Sequence, residues 1–323
     1  MAKQLIVADL GGTNGRFAVA TFRDGAPLPA IDQYTNFRCD RHGGVGEMLE
    51  QYIRALEGEA PKEAQLAIAG PTSDRDGRLT NLGWTVSAAD LEKNLSLDRV
   101  SLLNDFAALA NAMLYLGEDD RISLTEGRRA VQGCPVSIIG PGTGFGVAMA
   151  VPDDAGWRVV STEGGHMSFS PKTPLERDLH HHLSKTIGHV SVEALLSGAG
   201  LRRIHEFLVS YGGSGDATLE PADITRAAQE GNMPSCTRAV QLFLSVLGSV
   251  AGDIALVHGA RGGVNIGGGI LPKMQGLLRQ SDLVERFQDK GAMTPYLSQI
   301  PINIVVSRMS ALVGAAMAHF HKS

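Results

Sequence analysis

The sequence predicts an α/β protein in which one strand-rich unit occurs twice. Predicted strands alternate with predicted helices along the chain, a pattern typical of α/β domains. A meander of three strands around a glycine-rich turn opens the chain, and a second such meander begins near residue 135. A chain of 323 residues is also long for one hydrophobic core, so we expect two domains.

Apolar spacing defines each element in order: alternation of apolar residues indicates strands, and repeats at helical spacing indicate helices. Strands are predicted at 4–10, 16–22, 31–37, 64–69, 101–105, 135–139, 147–151, 157–162, 264–270 and 301–307. Helical segments are predicted at 45–57, 106–114, 175–210, 221–259 and 310–321.

The last helix is expected to pack back on the first domain, because the strand before it has no obvious partner nearby in the sequence. We therefore predict a small α/β domain of residues 1–115 plus 307–323, and a large α/β domain of residues 116–306.

Composition narrows the classes of partner. The net charge of −5, without a basic block, argues against nucleic acid. Three widely spaced cysteines without a CxxC pair indicate neither a disulfide framework nor a zinc site, and they fit a reducing cytosol. The N-terminus lacks the features of a signal peptide.

The apolar segment 239–259 is long enough to span a membrane, but Asp253 and its small residues favour a buried helix. We expect a cytoplasmic protein with no membrane partner.

Two glycine turns, "GGTNG" at 11–15 and "GPGTGFG" at 140–146, are the main candidates for ligand binding. A Walker loop needs GxxxxGK[ST], and a Rossmann fingerprint needs a helix directly after its glycines. Here a strand follows each turn. We therefore predict that the backbone N–H groups of the two turns, with the hydroxyls of Thr13 and Thr143, bind a polyphosphate from two sides. Ordinary hairpins with glycines at positive φ remain the alternative for each turn.

Asp9 stands at the end of the first predicted strand, beside the first glycine turn. A carboxylate next to phosphates requires an intervening cation, so we predict that Asp9 binds Mg²⁺ through water. The alternative is a strand-end residue that hydrogen-bonds its own turn.

Six motifs follow one another along the chain: "DLGGTNGR", "LLNDFAALA", "GPGTGFG", "STEGGHMSF", "IGHVSVEALLSGAG" and "GGVNIGGGILP". In order and spacing they resemble the bacterial glucokinases of the enteric type, within the hexokinase, actin and heat-shock ATPase superfamily. The resemblance covers nearly the whole chain. It implies two ribonuclease H-like domains with an interdomain active-site cleft that holds ATP and a sugar, which agrees with the repeated meander.

The resemblance also implies which stretches bind ATP. "GGVNIGGGI" would let the backbone approach the adenine and ribose, and packing glycines at a strand end are the alternative. The expected cofactor-binding residues are Ala8, Asp9, Leu10, Gly11, Gly12, Thr13, Asn14, Arg16, Gly144, Gly267, Gly268 and Gly269.

Asp105 is the candidate catalytic residue, because phosphoryl transfer to a hydroxyl needs a group that accepts its proton. It lies where the strand "SLLN" ends and a helix begins, and the resemblance gives this position the role of general base. An N-cap role for Asp105 is the alternative, since aspartate caps helices readily. By resemblance, the expected contacts to glucose are Asn104, Glu163, His166 and Glu193, with Gly142 and Thr143 near the transferred phosphate.

Histidines suggest metal binding at two places, and we expect none at either. A structural histidine is the alternative for His166, and no cysteine cluster follows it, unlike in the related repressor and kinase family that carries zinc. Consecutive histidines at 180–182 diverge by about 100° each on a helix and cannot share one ion, so a solvated helix face is expected.

The predicted function is ATP-dependent phosphorylation of D-glucose to glucose 6-phosphate, with ATP and Mg²⁺, by a homodimer as the resemblance implies. A kinase of another hexose or an amino sugar stays open, because "IAGPTSDRDGRLTNLGW" departs from the family's common form ahead of "TN". A non-catalytic sugar sensor is the second alternative. Related sensors carry an N-terminal DNA-binding domain, whereas the first strand here begins by residue 5.

Overall fold

The computed structural model describes residues 3–154, 156–212, 215–307 and 309–320. The chain divides into two compact units, which we call unit 1 (Met1–Asp120 with Ser307–Ser323) and unit 2 (Arg121–Val306).

The strands, in chain order, are β1 (Lys3–Leu10), β2 (Asn14–Phe22), β3 (Ala30–Arg38), β4 (Glu63–Ile68), β5 (Asp76–Leu79), β6 (Trp84–Ser87), β7 (Arg99–Asn104), β8 (Arg121–Ser123), β9 (Val136–Pro141), β10 (Phe145–Asp153), β11 (Gly156–Thr162), β12 (Val264–Ile266) and β13 (Ile302–Val305). The α-helices are α1 (Val45–Ala55), α2 (Ala88–Leu95), α3 (Asp105–Met113), α4 (Pro174–Ile187), α5 (Val192–Leu195), α6 (Gly198–Ser210), α7 (Pro221–Glu230), α8 (Pro234–His258), α9 (Gln275–Leu278), α10 (Leu283–Gln288), α11 (Thr294–Leu297) and α12 (Ser310–Phe320).

The two main sheets share one plan. The sheet of unit 1 has the order β3-β2-β1-β4-β7, and that of unit 2 has the order β11-β10-β9-β12-β13-β8. In each, an antiparallel three-strand meander is extended by two parallel strands. Each glycine turn joins the first two strands of its meander. The predicted α/β fold with a repeated unit is therefore confirmed, and a strand follows each turn as expected.

The sheet of unit 1 is covered on both faces, because side chains alternate between faces along each strand. In β1, Ile6 packs into one cluster with Leu49 of α1, whereas Leu5 and Val7 pack into another with Leu312 of α12. The buried β1 therefore holds the glycine turn at its end on a rigid base.

Helices α12 and α3 pack so closely that their backbones are in contact at Gly314. A Cβ atom at Gly314 would overlap the carbonyl oxygen of Ala108, so a side chain here requires the helices to move apart. We expect Gly314→Ala to lower the free energy of unfolding by about 1–3 kcal/mol, even though alanine favours helix by about 1 kcal/mol. Urea unfolding measures this change.

Gly46→Ala in α1 is the matched control for that substitution. The added Cβ would meet the Leu91 side chain at 3.5 Å, an ordinary contact, so the variant should match or exceed the stability of the parent. Equal changes in the two variants would contradict the close packing of α12 on α3.

Helix α8 forms the centre of unit 2. Of the described helices it is the one with the length and composition of a membrane span, yet 72% of its most apolar 18-residue window is buried. Gly248 and Gly252 lie against the backbone of Leu283 and Phe287, so the glycines of α8 let α10 approach closely. Burial within unit 2 agrees with the interpretation of this segment as a core helix.

The structure corrects several predicted elements. The segment predicted as mainly helical at 175–210 contains three helices, because Gly188 ends α4 while Ser191 and Ser197 cap α5 and α6. The strand before the last helix, β13, pairs with β12 and β8, which are both distant from it in the sequence. The hairpin of β5 and β6 and the helix α2 were not predicted, because these strands have four residues each and a largely polar sequence.

Candidate active site

The first glycine turn is a tight connection between β1 and β2. The N–H of Gly11 donates to the carbonyl oxygen of Asn14 at 3.0 Å. The N–H of Cys39, just after β3, donates to the carbonyl oxygen of Thr13 at 3.0 Å. The Thr13 side chain is exposed at the tip. The turn is thus held from within and from β3 while its tip faces solvent.

Three other predicted cofactor residues flank this tip. The side chains of Ala8 and Leu10 are fully buried, so only their backbone groups could serve a ligand. Gly12 is half-buried within the turn.

Asp9 forms an ion pair that the sequence prediction missed. The strand register places Asp9 directly opposite Arg16, and its Oδ2 lies 2.6 Å from the Arg16 Nη1. The Asp9 side chain is only 14% exposed. The Arg16 guanidinium is thus a cation beside the Asp9 carboxylate. The need for a cation next to Asp9, which was one reason to expect magnesium, is met by this side chain.

Asp9 has few other metal ligands around it. Within the described ranges, no group of three or more His, Cys, Asp and Glu side chains could hold a metal ion. One carboxylate still suits Mg²⁺, which keeps several waters and takes further oxygens from substrate phosphates. Magnesium at Asp9 stays a prediction.

Strand β7 ends at Asn104 and α3 begins at Asp105. The N-cap of α3 is Asn104, whose Oδ1 accepts the N–H groups of Phe106 at 2.9 Å and Ala107 at 3.2 Å. Asp105 is the first residue of the helix, and its Oδ1 accepts the Phe106 N–H at 3.0 Å. The capping position considered for Asp105 is therefore filled by Asn104. The half-buried Asp105 carboxylate lies at a helix N-terminus, which favours an anion.

The segment after β4 is fixed to Asn104. The Asn104 Nδ2 donates to the carbonyl oxygen of Gly70 at 3.3 Å. Gly70 has φ of +148°, and a Cβ there would overlap the carbonyl oxygen of Arg78 in β5. The β5–β6 hairpin, which lies in the stretch that departs from the family's common form, is thus anchored beside Asn104 and Asp105.

A bidentate ion pair between Arg75 and Glu92 holds the base of this hairpin. The Nη1 and Nη2 of Arg75 each lie 2.7 Å from one carboxylate oxygen of Glu92 in α2. The same carboxylate accepts the N–H of Val100 in β7 at 2.7 Å. The hydrogen bonds from Arg75 first, and then the one from Val100, lower the pKa of Glu92 to about 2. Hairpin, helix and strand are therefore joined at one carboxylate.

This ion pair predicts a pH-dependent stability. The folded pKa of Glu92 lies below its unfolded value of about 4.3, so its contribution is complete above that value and is lost as pH falls towards 2. We expect Glu92→Gln to have a lower free energy of unfolding than the parent at pH 7. This difference should shrink as the pH falls from about 5 to about 3. Urea unfolding at several pH values measures it. Glu50→Gln, which loses an exposed ion pair with Arg54, is the control. Its free energy of unfolding should differ little from that of the parent at every pH. A gap for Glu92→Gln that is constant with pH would contradict the assignment.

The second glycine turn, in unit 2, has a similar build. The N–H of Gly142 donates to the carbonyl oxygen of Gly144 at 2.8 Å, and the N–H of Gly198 donates to the carbonyl oxygen of Gly142 at 3.0 Å. Thr143 is exposed at the tip. Here too, a braced turn presents its tip to solvent.

The glycines after β12 lie against this second turn. A Cβ at Gly140 would overlap the carbonyl oxygen of Gly267, and a Cβ at Gly268 would overlap that of Pro141. Gly268 also has φ of +94°, whereas Gly269 has no such constraint and no heavy atom within 4 Å of its Cβ position. The structure thus brings together the two glycine-rich segments that the sequence assigned to the nucleotide.

Glu163 precedes and His166 ends a 3₁₀ helix, Gly164–His166, that packs on β10. A Cβ at Gly165 would overlap the carbonyl oxygen of Phe145, so the glycine allows this close packing. The side chains of Glu163 and His166 are both exposed. A rigid loop thus presents a carboxylate and an imidazole to solvent.

Glu193 joins this loop to the second turn. Its Oε2 accepts the N–H of Phe145 at 2.8 Å. Its neighbour Val192 donates its N–H to the carbonyl oxygen of Met167, the residue after His166, at 2.8 Å. Sequence reasoning named Glu193 as a sugar contact but missed its bond to the turn.

The predicted residues of each unit gather at one edge of its sheet. In unit 1 the parallel strands β1, β4 and β7 end level with one another at Leu10, Ile68 and Asn104. In unit 2 the parallel strands β9 and β12 end in the two glycine segments. Ligands of α/β proteins bind outside the carboxyl ends of such strands.

The histidine run at 180–182 follows the expectation of a solvated face only in part. His181 and His182 are exposed, but His180 is half-buried with its ring centroid 6.4 Å from that of Phe169. The His182 ring lies 5.4 Å from that of Phe207. The contact with Phe169 explains why His180 is partly covered.

Comparison with known proteins gives consistent matches. The sequence profile of the family described as Glucokinase matches residues 6–322. The chain is 39% identical over 311 residues to the Glucokinase of Saccharophagus degradans, covering 96% of each protein. Among solved structures, a glucokinase from an Antarctic psychrotroph is 37% identical, with a TM-score of 0.85 and 99% of each chain covered. A ROK family glucokinase from Streptomyces griseus, in complex with glucose and AMPPNP, shares the fold at 20% identity and a TM-score of 0.64, covering 97% of this chain and 98% of that one.

Proposed function

Because the chain belongs to the glucokinase family, we infer that it transfers a phosphoryl group from ATP to glucose, and we propose that Asp105 is the base of this reaction. The observation that carries the proposal is the position of Asp105 at the start of α3, at the edge where β1, β4 and β7 end, with the cap position filled by Asn104. The carboxylate accepts the proton of the sugar 6-hydroxyl as that oxygen bonds to the γ-phosphorus. ADP leaves, and glucose 6-phosphate is formed.

The two glycine turns hold the phosphates of ATP. Their exposed tips carry Thr13 and Thr143, and backbone hydrogen bonds brace each turn. N–H donors aimed at the phosphates stabilise the charge of a transferring phosphoryl group. The adenosine lies along Gly267, Gly268 and Gly269, of which Gly267 and Gly268 contact the second turn.

Magnesium is the proposed metal, bound through water to Asp9. Arg16 orients the Asp9 carboxylate through their ion pair. When bound, the ion neutralises charge on the transferring phosphates.

Glucose is held by a set of groups that donate and accept hydrogen bonds. Glu163 and His166 offer an exposed carboxylate and imidazole from one rigid loop, and Glu193 lies beside that loop. Asn104 is a further proposed contact, and its amide oxygen is already engaged by the N-terminus of α3. Sugar hydroxyls, each both donor and acceptor, match this mixed set.

We further propose that the enzyme is cytoplasmic and forms a homodimer, as expected of its family. Light scattering coupled to size-exclusion chromatography tests the assembly. Twice the mass of the chain would support the dimer, and the mass of one chain would contradict it.

A coupled assay of ADP release across hexoses and amino sugars tests the proposed function. We expect the highest kcat/KM with glucose. A higher kcat/KM with another sugar would reassign the substrate, and glucose binding without ADP release would indicate a sensor instead of an enzyme.

A further inference from the structure

The carboxylate of Glu193 is in direct contact with the second glycine turn. Its Oε2 accepts the N–H of Phe145 at 2.8 Å, across 48 residues of sequence. A Cβ at Gly144 would overlap the same oxygen. Gly144 has no φ in the left-handed region, so glycine is required here for the approach of this carboxylate and not for its backbone conformation.

The segment that carries Glu193 also braces the turn from its other side. The Ser197 hydroxyl donates to the carbonyl oxygen of Glu193 at 2.9 Å, and the next residue, Gly198, donates its N–H to the carbonyl oxygen of Gly142 at 3.0 Å. A shift of Glu193 therefore reaches the turn by two routes, through Phe145 and through Gly142.

The same segment is tied to the loop that presents the sugar ligands. Val192 donates its N–H to the carbonyl oxygen of Met167 at 2.8 Å, and the His189 ring contacts the carbonyl oxygen of His166 at 3.2 Å. The loop of Glu163 and His166 and the turn proposed to hold phosphate thus belong to one hydrogen-bonded network within unit 2.

We propose that Glu193 is a positioning residue that couples the binding of glucose to the binding of ATP. The inference rests on the proposed function. One carboxylate oxygen holds the Phe145 N–H, and the other accepts a hydroxyl of glucose. Bound sugar fixes the rotamer of Glu193 and thereby the turn, so a nucleotide that follows loses less conformational freedom on binding. By linkage, each substrate strengthens the binding of the other by the same factor.

The test is a calorimetric titration with AMPPNP and Mg²⁺, with and without saturating glucose, in four proteins: the parent, Glu193→Ala, Gly144→Ala and Glu206→Ala. Glu206 is a half-exposed residue of α6 paired with Arg202, so its variant is the matched control. In the parent and the control we expect glucose to tighten AMPPNP binding at least about fivefold.

In Gly144→Ala, the added Cβ displaces the Glu193 oxygen from the turn while leaving the carboxylate available to the sugar. We expect its coupling factor to fall to about one while its glucose affinity stays close to that of the parent. Glu193→Ala should bind AMPPNP more weakly even without glucose. A Glu193→Gln variant keeps an oxygen acceptor for the Phe145 N–H and should restore part of this affinity.

A coupling factor in Gly144→Ala equal to that of the parent, or unchanged AMPPNP affinity in glucose-free Glu193→Ala, would overturn the proposal. So would a coupling factor of one in the parent. The assay of ADP release with glucose separates these results from failure of the proposed function. A parent that phosphorylates glucose without coupling refutes this inference alone, whereas a parent without turnover refutes the function.

Discussion

Replacing Asp105 by asparagine is expected to lower kcat by about 10²- to 10⁴-fold, with little change in the KM for glucose. The amide keeps the size of the side chain and an oxygen for the Phe106 N–H, so α3 should begin as before. It cannot take the proton of the attacking hydroxyl. The residual rate comes from substrate alignment and charge stabilisation, on which a loose transition state depends. The assay of ADP release, over a range of glucose concentrations, measures both constants.

Asp90→Asn is the control for this substitution. Asp90 is an exposed residue of α2 in the same unit, so its variant should keep the kcat of the parent. A kcat for Asp105→Asn within tenfold of the parent would remove Asp105 from the role of base.

Gly268→Ala is the second change with a large expected effect, a loss of about 2–5 kcal/mol in the free energy of unfolding. Two costs add here. The φ of +94° is unfavourable for an L side chain, and the new Cβ would overlap the carbonyl oxygen of Pro141. Since Pro141 begins the second turn, relief of this overlap also moves the proposed phosphate site. We expect a KM for ATP raised at least about tenfold in whatever fraction folds.

Gly269→Ala is the matched comparison for stability. It adds the same methyl group one residue later, where no heavy atom lies within 4 Å. Its free energy of unfolding should stay within about 0.5 kcal/mol of the parent, as for a surface substitution. Similar losses at both positions would show that the segment does not lie against Pro141.

Local signals predicted the elements that hold the site. Short runs of apolar residues placed β1, β2 and the strands of the second meander, because a strand covered on both faces needs apolar side chains at successive positions. The glycine turns stood out because a strand follows each of them. The pair of Asp9 and Arg16 could also have been found, since a hairpin that closes at Leu10 and Gly15 places these two side chains opposite each other.

Other parts of the site depend on contacts that no local pattern contains. Asn104 and Asp105 are adjacent and both cap helices well, so spacing alone could not decide which of them caps α3. The bond between Glu193 and Phe145 joins residues 48 positions apart. The glycine of residue 140 is required by the backbone of Gly267, a partner that the sequence does not reveal. The β5–β6 hairpin escaped prediction because its strands have only four residues each, and the ion pair at its base joins Arg75 and Glu92 across 17 positions.

The most direct test of the catalytic role of Asp105 is a crystal structure of the protein with glucose, AMPPNP and Mg²⁺. We expect a carboxylate oxygen of Asp105 at about 2.6–3.2 Å from the sugar 6-hydroxyl, with the γ-phosphate in line with that oxygen. An Asp105 carboxylate bonded only within α3, with a different group facing the 6-hydroxyl, would contradict it.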